Sequence, residues 1–152
     1  MKKIFLLFAI TLFVNQCGYE KIYSDKNINV SIKEIKKEKN FVNNEIATAL
    51  EDILSNENSK NIFTLKIESS KEINVKSKNS KGDPSIYVQK IKVKVTATDQ
   101  FDQVYVKTFL REINYNNNND KFKLSQYQND LEKILLQKLI EDIINYLSDL
   151  GW

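Results

Sequence analysis

The sequence predicts an α+β fold, a two-layer sandwich in which two helices pack on one face of an antiparallel four-stranded sheet. Two segments repeat apolar residues every three or four positions, which is typical of amphipathic helices, while shorter segments alternate apolar and polar residues as half-buried strands do. Their order along the chain is β-α-β-β-β-α, with the longer helix last. Helices that cover one face of a sheet give both layers a common core.

The first half of the chain predicts a strand, a helix and a second strand. The strand is "NVSIKEI" at 29–35, and the helix is "FVNNEIATALEDILSN" from Phe41, with Asn40 or Asn43 as its N-cap. "NIFTLKIES" alternates cleanly and predicts a half-buried strand at 61–69, which Ile73 and Val75 allow to extend some way further. Gly82, Asp83 and Pro84 then predict a turn.

The segment "YVQKIKVKVTATDQFDQVYVKTFLREINY" predicts an antiparallel hairpin around a polar turn at Asp99–Asp102. An even-length loop would set Lys94 opposite Lys107 and Lys90 opposite Arg111, and would leave the other face almost purely apolar. The outward face would then combine cations and aromatic rings. Its candidate ligand-binding residues are Lys90, Lys92, Lys94, Lys107, Arg111, Tyr105 and Phe109.

The end of the chain predicts a long helix from about Phe122 to Leu150, capped by Asn119 or Asp120. Its apolar stripe is broad enough to pack on both the sheet and the shorter helix. The stripe consists of Leu124, Tyr127, Leu131, Ile134, Leu135, Leu139, Ile143, Leu147 and Leu150, widened by Leu136, Ile140 and Ile144.

Composition argues against several functional classes. The 152 residues include no histidine and one cysteine, which excludes a disulfide framework and a Cys/His zinc site. No nucleophile elbow, phosphate loop or dinucleotide fingerprint is present, so we expect no enzymatic activity and no cofactor or metal. The acidic residues of the helices fit solvated surfaces better than catalytic pairs. They are Glu51, Asp52, Glu132, Glu141 and Asp142.

The N-terminus predicts an exported lipoprotein. Lys2 and Lys3 precede the apolar run "IFLLFAITLFV", which has the length of a signal-peptide core and is too short to span a bilayer comfortably. We therefore expect a signal peptide at 1–16 and one domain at 17–152, with Cys17 as the lipid attachment site. Without the two leader lysines, the net charge falls from +3 to +1, which is weak for a nucleic-acid binder.

The predicted basic face has two interpretations. It could bind an anionic amphiphile, with its cations on phosphates and its rings on acyl or sugar surface. It could equally be the solvated face of an antiparallel sheet, which requires no ligand. Lys94 opposite Lys107 favours a ligand, because like charges directly across a strand pair repel each other.

The mature N-terminus and the last helix resemble the LPS-assembly lipoprotein LptE family. "CGYEKIY" keeps the cysteine, glycine and two aromatic residues of that family's Cys-Gly-Phe/Tyr-x-Pro-Leu-Tyr opening, and Phe109 and Tyr115 precede the last helix at a similar spacing. The resemblance implies an outer-membrane lipoprotein on the periplasmic side that plugs the β-barrel protein LptD and binds lipopolysaccharide. Gly18 after the cysteine also resembles lipoproteins sent to the outer membrane.

Two other functions are compatible with the sequence. One is a lipoprotein that carries or chaperones lipids or polypeptides without a barrel partner, which predicts an accessible apolar groove. The other is a hydrolase that relies on carboxylates, which would need an acidic pair converging in a pocket.

Overall fold

A computed structural model describes residues 29–55 and 59–151. Its elements follow the predicted order β-α-β-β-β-α, so the α+β fold is confirmed. The predicted signal peptide and Cys17 lie outside the described residues. The elements are β1 (Val30–Lys37), α1 (Phe41–Ile53), β2 (Asn61–Lys78), β3 (Pro84–Thr98), β4 (Val104–Asn116) and α2 (Lys121–Leu150).

The sheet has the order β1-β2-β3-β4 and is mixed rather than fully antiparallel. β2 pairs with β3 and β3 with β4 in antiparallel fashion, as expected for hairpins. β1 pairs with β2 in parallel, with Val30 opposite Asn61 and Lys37 opposite Ile67. The prediction of an entirely antiparallel sheet was therefore wrong for β1. The reason is that α1 carries the chain back along the sheet, so that β2 starts at the same end as β1.

Both helices cover one face of the sheet and share a core with it, as predicted. Asn40 caps α1 by accepting a hydrogen bond from the backbone N–H of Asn43, and Asp120 caps α2 in the same way. The fully buried core side chains come from both layers. The largest of them are Ile46, Leu50, Leu54, Leu65, Ile67, Ile91, Leu139, Ile143, Ile144 and Leu147.

The long helix departs from its predicted stripe at three positions. Tyr127 and Ile134 are 49% and 44% exposed, because they lie at the margins of the surface that contacts the sheet. Glu132, predicted to be solvated, is only 5% exposed. A carboxylate at this depth needs a partner, which is described below.

The β3–β4 hairpin has a five-residue loop, and this shifts its register by one residue from the prediction. Thr98 lies opposite Val104, so Lys94 faces Thr108 and not Lys107. The side chain of Asp99 accepts hydrogen bonds from the backbone N–H groups of Phe101 and Gln103, which stabilises the longer loop. Because strand side chains alternate, a shift by one residue moves every β4 side chain to the other face.

Candidate functional site

The sheet separates the seven predicted ligand-binding residues into two groups. Lys90, Lys92 and Lys94 lie on the outer face, which we define as the face of the sheet opposite the helices. The four β4 residues lie on the helix side, directly opposite the apolar β3 residues Ala97, Val95, Val93 and Ile91, and Phe109 is buried there. The prediction that these residues form one basic and aromatic face was therefore wrong. The β4 members of the set are Tyr105, Lys107, Phe109 and Arg111.

The two β4 cations attach the strand to α2. Arg111 donates two hydrogen bonds to the carboxylate of Asp142, at 2.7 and 2.6 Å, and this carboxylate raises the pKa of the guanidinium. The Lys107 ammonium lies 4.5 Å from the ring centroid of Tyr146 and 5.4 Å from that of Phe109, within cation–π range. Both cations thus have intramolecular partners, and Asp142 is an ion-pair partner rather than a solvated acid.

On the outer face, two of the three lysines also have acidic partners. Lys90 lies 2.9 Å from Glu112, and this hydrogen-bonded pair raises the pKa of the lysine and lowers that of the glutamate. Lys94 lies 3.7 Å from Glu68. Lys92 takes part in no ion pair within the described part of the chain, and it is exposed. It is therefore the cation of the predicted set best placed to meet an external anion.

An apolar stripe on the outer face was missed by sequence reasoning. Val104, Val106 and Leu110 of β4 are 60%, 55% and 56% exposed, and we call them the β4 stripe. Leu110 lies directly opposite Lys92, so the stripe adjoins that cation. The sequence signal was present, because β4 carries apolar residues at both even and odd positions. The hairpin register predicted from the sequence placed the even-numbered residues Val104, Val106 and Leu110 on the core side.

A second candidate site is an open cleft of about 610 Å³ between the start of α1, the middle of β2 and the N-terminal half of α2. Its lining includes an ion pair in which the Lys71 ammonium lies 2.7 Å from the buried carboxylate of Glu132. A volume of this size is typical of small-molecule pockets. The lining residues are Asn40, Phe41, Val42, Ser69, Lys71, Asn129, Glu132 and Lys133.

The sequence contained a signal for this cleft. The buried positions of β2 run through Phe63, Leu65 and Ile67, but the next two positions on the same face are Ser69 and Lys71. Polar residues at apolar positions indicate that the core ends there. Glu132 is the only carboxylate that lines the cleft among the described residues, and the acidic pair that the hydrolase interpretation needs is not formed at this site.

The two-layer fold is shared with solved lipoprotein structures, although no family model and no curated protein matches the sequence. The rare lipoprotein B from Shewanella oneidensis is 13% identical, with a TM-score of 0.62 over 80% of this chain and 94% of that chain. A minor lipoprotein from Acinetobacter baumannii is 12% identical, with a TM-score of 0.59 over 80% and 92%. A lipoprotein B from Nitrosomonas europaea is 11% identical, with a TM-score of 0.55 over 81% and 87%. At these identities the similarity establishes the fold alone.

None of the described helices is both long and apolar enough to cross a membrane.

Proposed function

We propose that the chain is a non-enzymatic outer-membrane lipoprotein of the LptE type, anchored through an acylated Cys17, which assembles with an LptD-like barrel and contacts lipopolysaccharide. The shared fold with lipoprotein structures supports this proposal, as does the "CGYEKIY" opening of the mature chain. More than one acyl chain on the thiol would give stable anchoring, where a single chain binds only marginally.

The geometric observation that carries the proposal is the outer face of the sheet. Both helices pack on the other face, and the outer face combines the exposed β4 stripe with Lys92, which has no ion-pair partner among the described residues. Val104 and Val106 are neighbours on this face, and Thr108 separates them from Leu110. Exposed apolar side chains bordered by charges commonly mark interaction sites. We assign the stripe to the barrel partner and Lys92 to a phosphate of lipopolysaccharide.

Co-purification tests the partner assignment. We expect the tagged chain, extracted from membranes in mild detergent, to bring a large β-barrel protein with it. Leu110→Glu should reduce the recovery of the barrel, because it places a charge in the stripe. Ile134→Glu is the matched control, since it charges an apolar residue of similar exposure on the other layer. A preparation that contains no barrel would refute the assembly role.

Binding measurements test the lipopolysaccharide contact. Lys92→Glu should weaken binding of purified lipopolysaccharide severalfold, because it replaces an exposed cation with an anion. Lys138→Glu makes the same charge change on an exposed position of α2 and should leave binding unchanged. Equal loss in both variants would point to a general effect of net charge and would remove Lys92 as a specific contact.

The anchor is tested separately at Cys17. Cys17→Ala should release the protein from the membrane fraction, because the thiol is the proposed acylation site. Mass spectrometry of the mature N-terminus should find Cys17 as the first residue, with acyl chains attached. An unmodified thiol within an uncleaved chain would contradict this step.

The cleft favours a second candidate function, a lipoprotein that carries lipids or polypeptides without a barrel. An accessible cleft is what that function requires, and this one adjoins an exposed Phe41 at its rim. The co-purification experiment distinguishes the two candidates. A monomer that is recovered with bound lipid and without a barrel would favour the carrier.

A further inference from the structure

The second half of β2 has a free edge. β1 pairs with β2 only as far as Ile67, where Lys37 is its partner, whereas β2 continues to Lys78. From Glu68 onward, β2 pairs with β3 on one side and with no described strand on the other. The backbone N–H and C=O groups on that open side are available to a further strand.

Two apolar side chains of this free half are exposed on the helix side of the sheet. Ile73 and Val75 continue the every-second-residue pattern of the buried β2 positions, so strand alternation places them on the same face. They are 39% and 43% exposed. Exposed apolar residues on an edge strand favour a further strand that brings apolar side chains to the same face.

The outer face of the same segment carries opposite charges. Glu72 lies opposite Lys90, which lies opposite Glu112, so a row of alternating charges crosses three strands and ends at the free edge. The pKa of Glu112 is lowered by Lys90 and, to a smaller extent, by Lys76, which agrees with a position of Lys76 on the outer face. Neither Glu72 nor Lys76 takes part in an ion pair within the described part of the chain.

The free half of β2 is complementary to itself when two copies run antiparallel. About a two-fold axis at Asn74, each residue lies opposite the one equally far along the second copy. Ile73 then lies opposite Val75 of the second copy, and Glu72 lies opposite its Lys76. Symmetry forms each of these contacts twice. The lysine of the second copy also extends the charge row that ends at Glu72.

Neighbouring registers match less well. An axis at Ile73 would set Lys71 opposite Val75, and an axis at Val75 would set Ile73 opposite Ser77. Either register keeps one apolar pair, whereas the axis at Asn74 forms two. The alternation of side chains therefore selects Asn74 as the axis at which both faces of the strand match.

The end of β1 leaves room for this pairing. With the axis at Asn74, Lys78 of the second copy would lie opposite Ser70. Ile67 is the last β2 residue that pairs with β1, so Glu68 and Ser69 separate the two partners along the strand. β1 and the second copy would therefore occupy consecutive parts of the same edge.

The other edge of the sheet offers no comparable charge match. On the outer face of β4, the single charged residue is Glu112, which already pairs with Lys90. On its helix side, Arg111 is bound to Asp142. Opposite charges that are free to pair between copies are thus found on β2 and not on β4.

We propose that the free half of β2 pairs antiparallel with the same segment of a second copy of this chain, across a two-fold axis at Asn74, so that the two sheets become continuous. Main-chain hydrogen bonds would join the strands, as in other cases of strand addition. The apolar pairs would form on the helix side and the ion pairs on the outer face. The β4 stripe lies at the opposite edge of the sheet and stays uncovered, so this inference goes beyond the proposed function and does not depend on it.

Charge exchange tests the register. The sample is the full mature chain with Cys17→Ala, and we expect sedimentation equilibrium to find a concentration-dependent dimer. Glu72→Lys and Lys76→Glu should each weaken dimerisation at least about tenfold, or about 1.4 kcal/mol, because like charges then lie opposite each other. The double variant sets opposite charges against each other again and should dimerise about as well as the parent.

Three outcomes of this experiment would overturn the proposal. The first is a double variant that dimerises as weakly as the single variants while its circular dichroism matches the parent. The second is a monomer at every concentration. The third is a monomer whose β2 amides are protected from hydrogen exchange, because the chain's own N-terminal segment would then occupy the edge.

A cysteine at the axis locates the contact. In the Cys17→Ala background, which has no other cysteine, Asn74→Cys should form a disulfide-linked dimer on mild oxidation, because directly opposite residues have Cβ atoms about 4.5–5.5 Å apart. Ser70→Cys is the matched control on the same strand and face, since the two copies of this position would be separated by about 26 Å along the strand.

A variant on the other edge strand completes the test. Val104→Lys changes an exposed apolar residue of β4 and should leave the dimer intact. A dimer that Val104→Lys dissociates would place the contact on β4 and overturn the proposal. Equally rapid cross-linking through Ser70→Cys and Asn74→Cys would also overturn it, because the pairing would then have no fixed axis.

Discussion

Replacing Lys71 by methionine should destabilise the protein more than replacing its partner Glu132 by leucine. The two side chains form one ion pair, but they differ in burial: the Glu132 side chain is 7% exposed and that of Lys71 is 36% exposed. Lys71→Met leaves a carboxylate without a partner between β2 and α2. Glu132→Leu leaves the Lys71 ammonium without its partner, but this group can rotate towards solvent at the mouth of the cleft.

The expected magnitudes follow from this asymmetry. Removing one partner of a fully buried ion pair costs about 3–5 kcal/mol, because the remaining charge is desolvated and uncompensated. Since Lys71 is partly solvated, water screens this pair, and we expect Lys71→Met to cost about 2–3 kcal/mol and Glu132→Leu about 1 kcal/mol. The double variant removes both charges and should lie within about 1 kcal/mol of the parent protein.

Urea unfolding followed by far-ultraviolet circular dichroism measures these free energies for the parent, the two single variants and the double variant. Lys66→Met is the matched control. The Lys66 ammonium also lies close to a carboxylate, 2.9 Å from Glu68, but both side chains are well exposed, at 56% and 38%. Its loss should cost no more than about 0.5–1 kcal/mol.

Two results would refute the reasoning. If Lys71→Met cost no more than Lys66→Met, burial of Glu132 would not control the strength of the pair. If the double variant were as unstable as Lys71→Met, the loss of stability would come from lost packing of the Lys71 methylene chain and not from an unpaired Glu132 carboxylate.

Three further outcomes follow from burial. Gln89→Leu should leave the free energy of unfolding in urea unchanged or raise it by about 1 kcal/mol, because both amide atoms of Gln89 are buried without a hydrogen-bond partner among the described residues. Clear destabilisation would mean that the amide has a function in packing. Leu139→Ala should lower the free energy of unfolding by about 2–5 kcal/mol, because Leu139 is fully buried. Ile134→Ala changes a 44% exposed position and should lower it clearly less. Similar losses in the two variants would contradict the described core. Burial raises the pKa of Tyr115 and Tyr146, so spectrophotometric titration should find two tyrosines with a pKa above the usual value of 10.0. The free energy of unfolding should fall as the pH rises through their folded-state pKa values. Titration of all tyrosines at the usual pKa would contradict this.

Much of the fold could be predicted because local patterns specify it. The repeat of apolar residues every three or four positions and the capping residues identified both helices, and Asp120 was one of the two caps proposed for α2. The direction of β1 could not be predicted in the same way, because a parallel and an antiparallel edge strand have the same alternation. It depends on where α1 returns the chain.

The candidate site was harder to predict because β4 is apolar on both faces. Tyr105 and Phe109 compete with Val106 and Leu110 for the core side, and a loop of four or five residues decides between them. The side chain of Asp99, by accepting two backbone hydrogen bonds, favours the longer loop. The predicted ligand face was therefore divided between the two sides of the sheet.

By itself the sequence determined the element order and the start of both helices, because each of these depends on residues close together along the chain. An exported N-terminus with Cys17 as its lipid attachment site stays a prediction, since it lies outside the described residues. Only the tertiary structure decided which β4 residues reach solvent, that Glu132 is buried against Lys71, and that β2 extends past β1 to leave a free edge. These features depend on contacts between residues far apart in the chain, such as Arg111 with Asp142, and no local period encodes them.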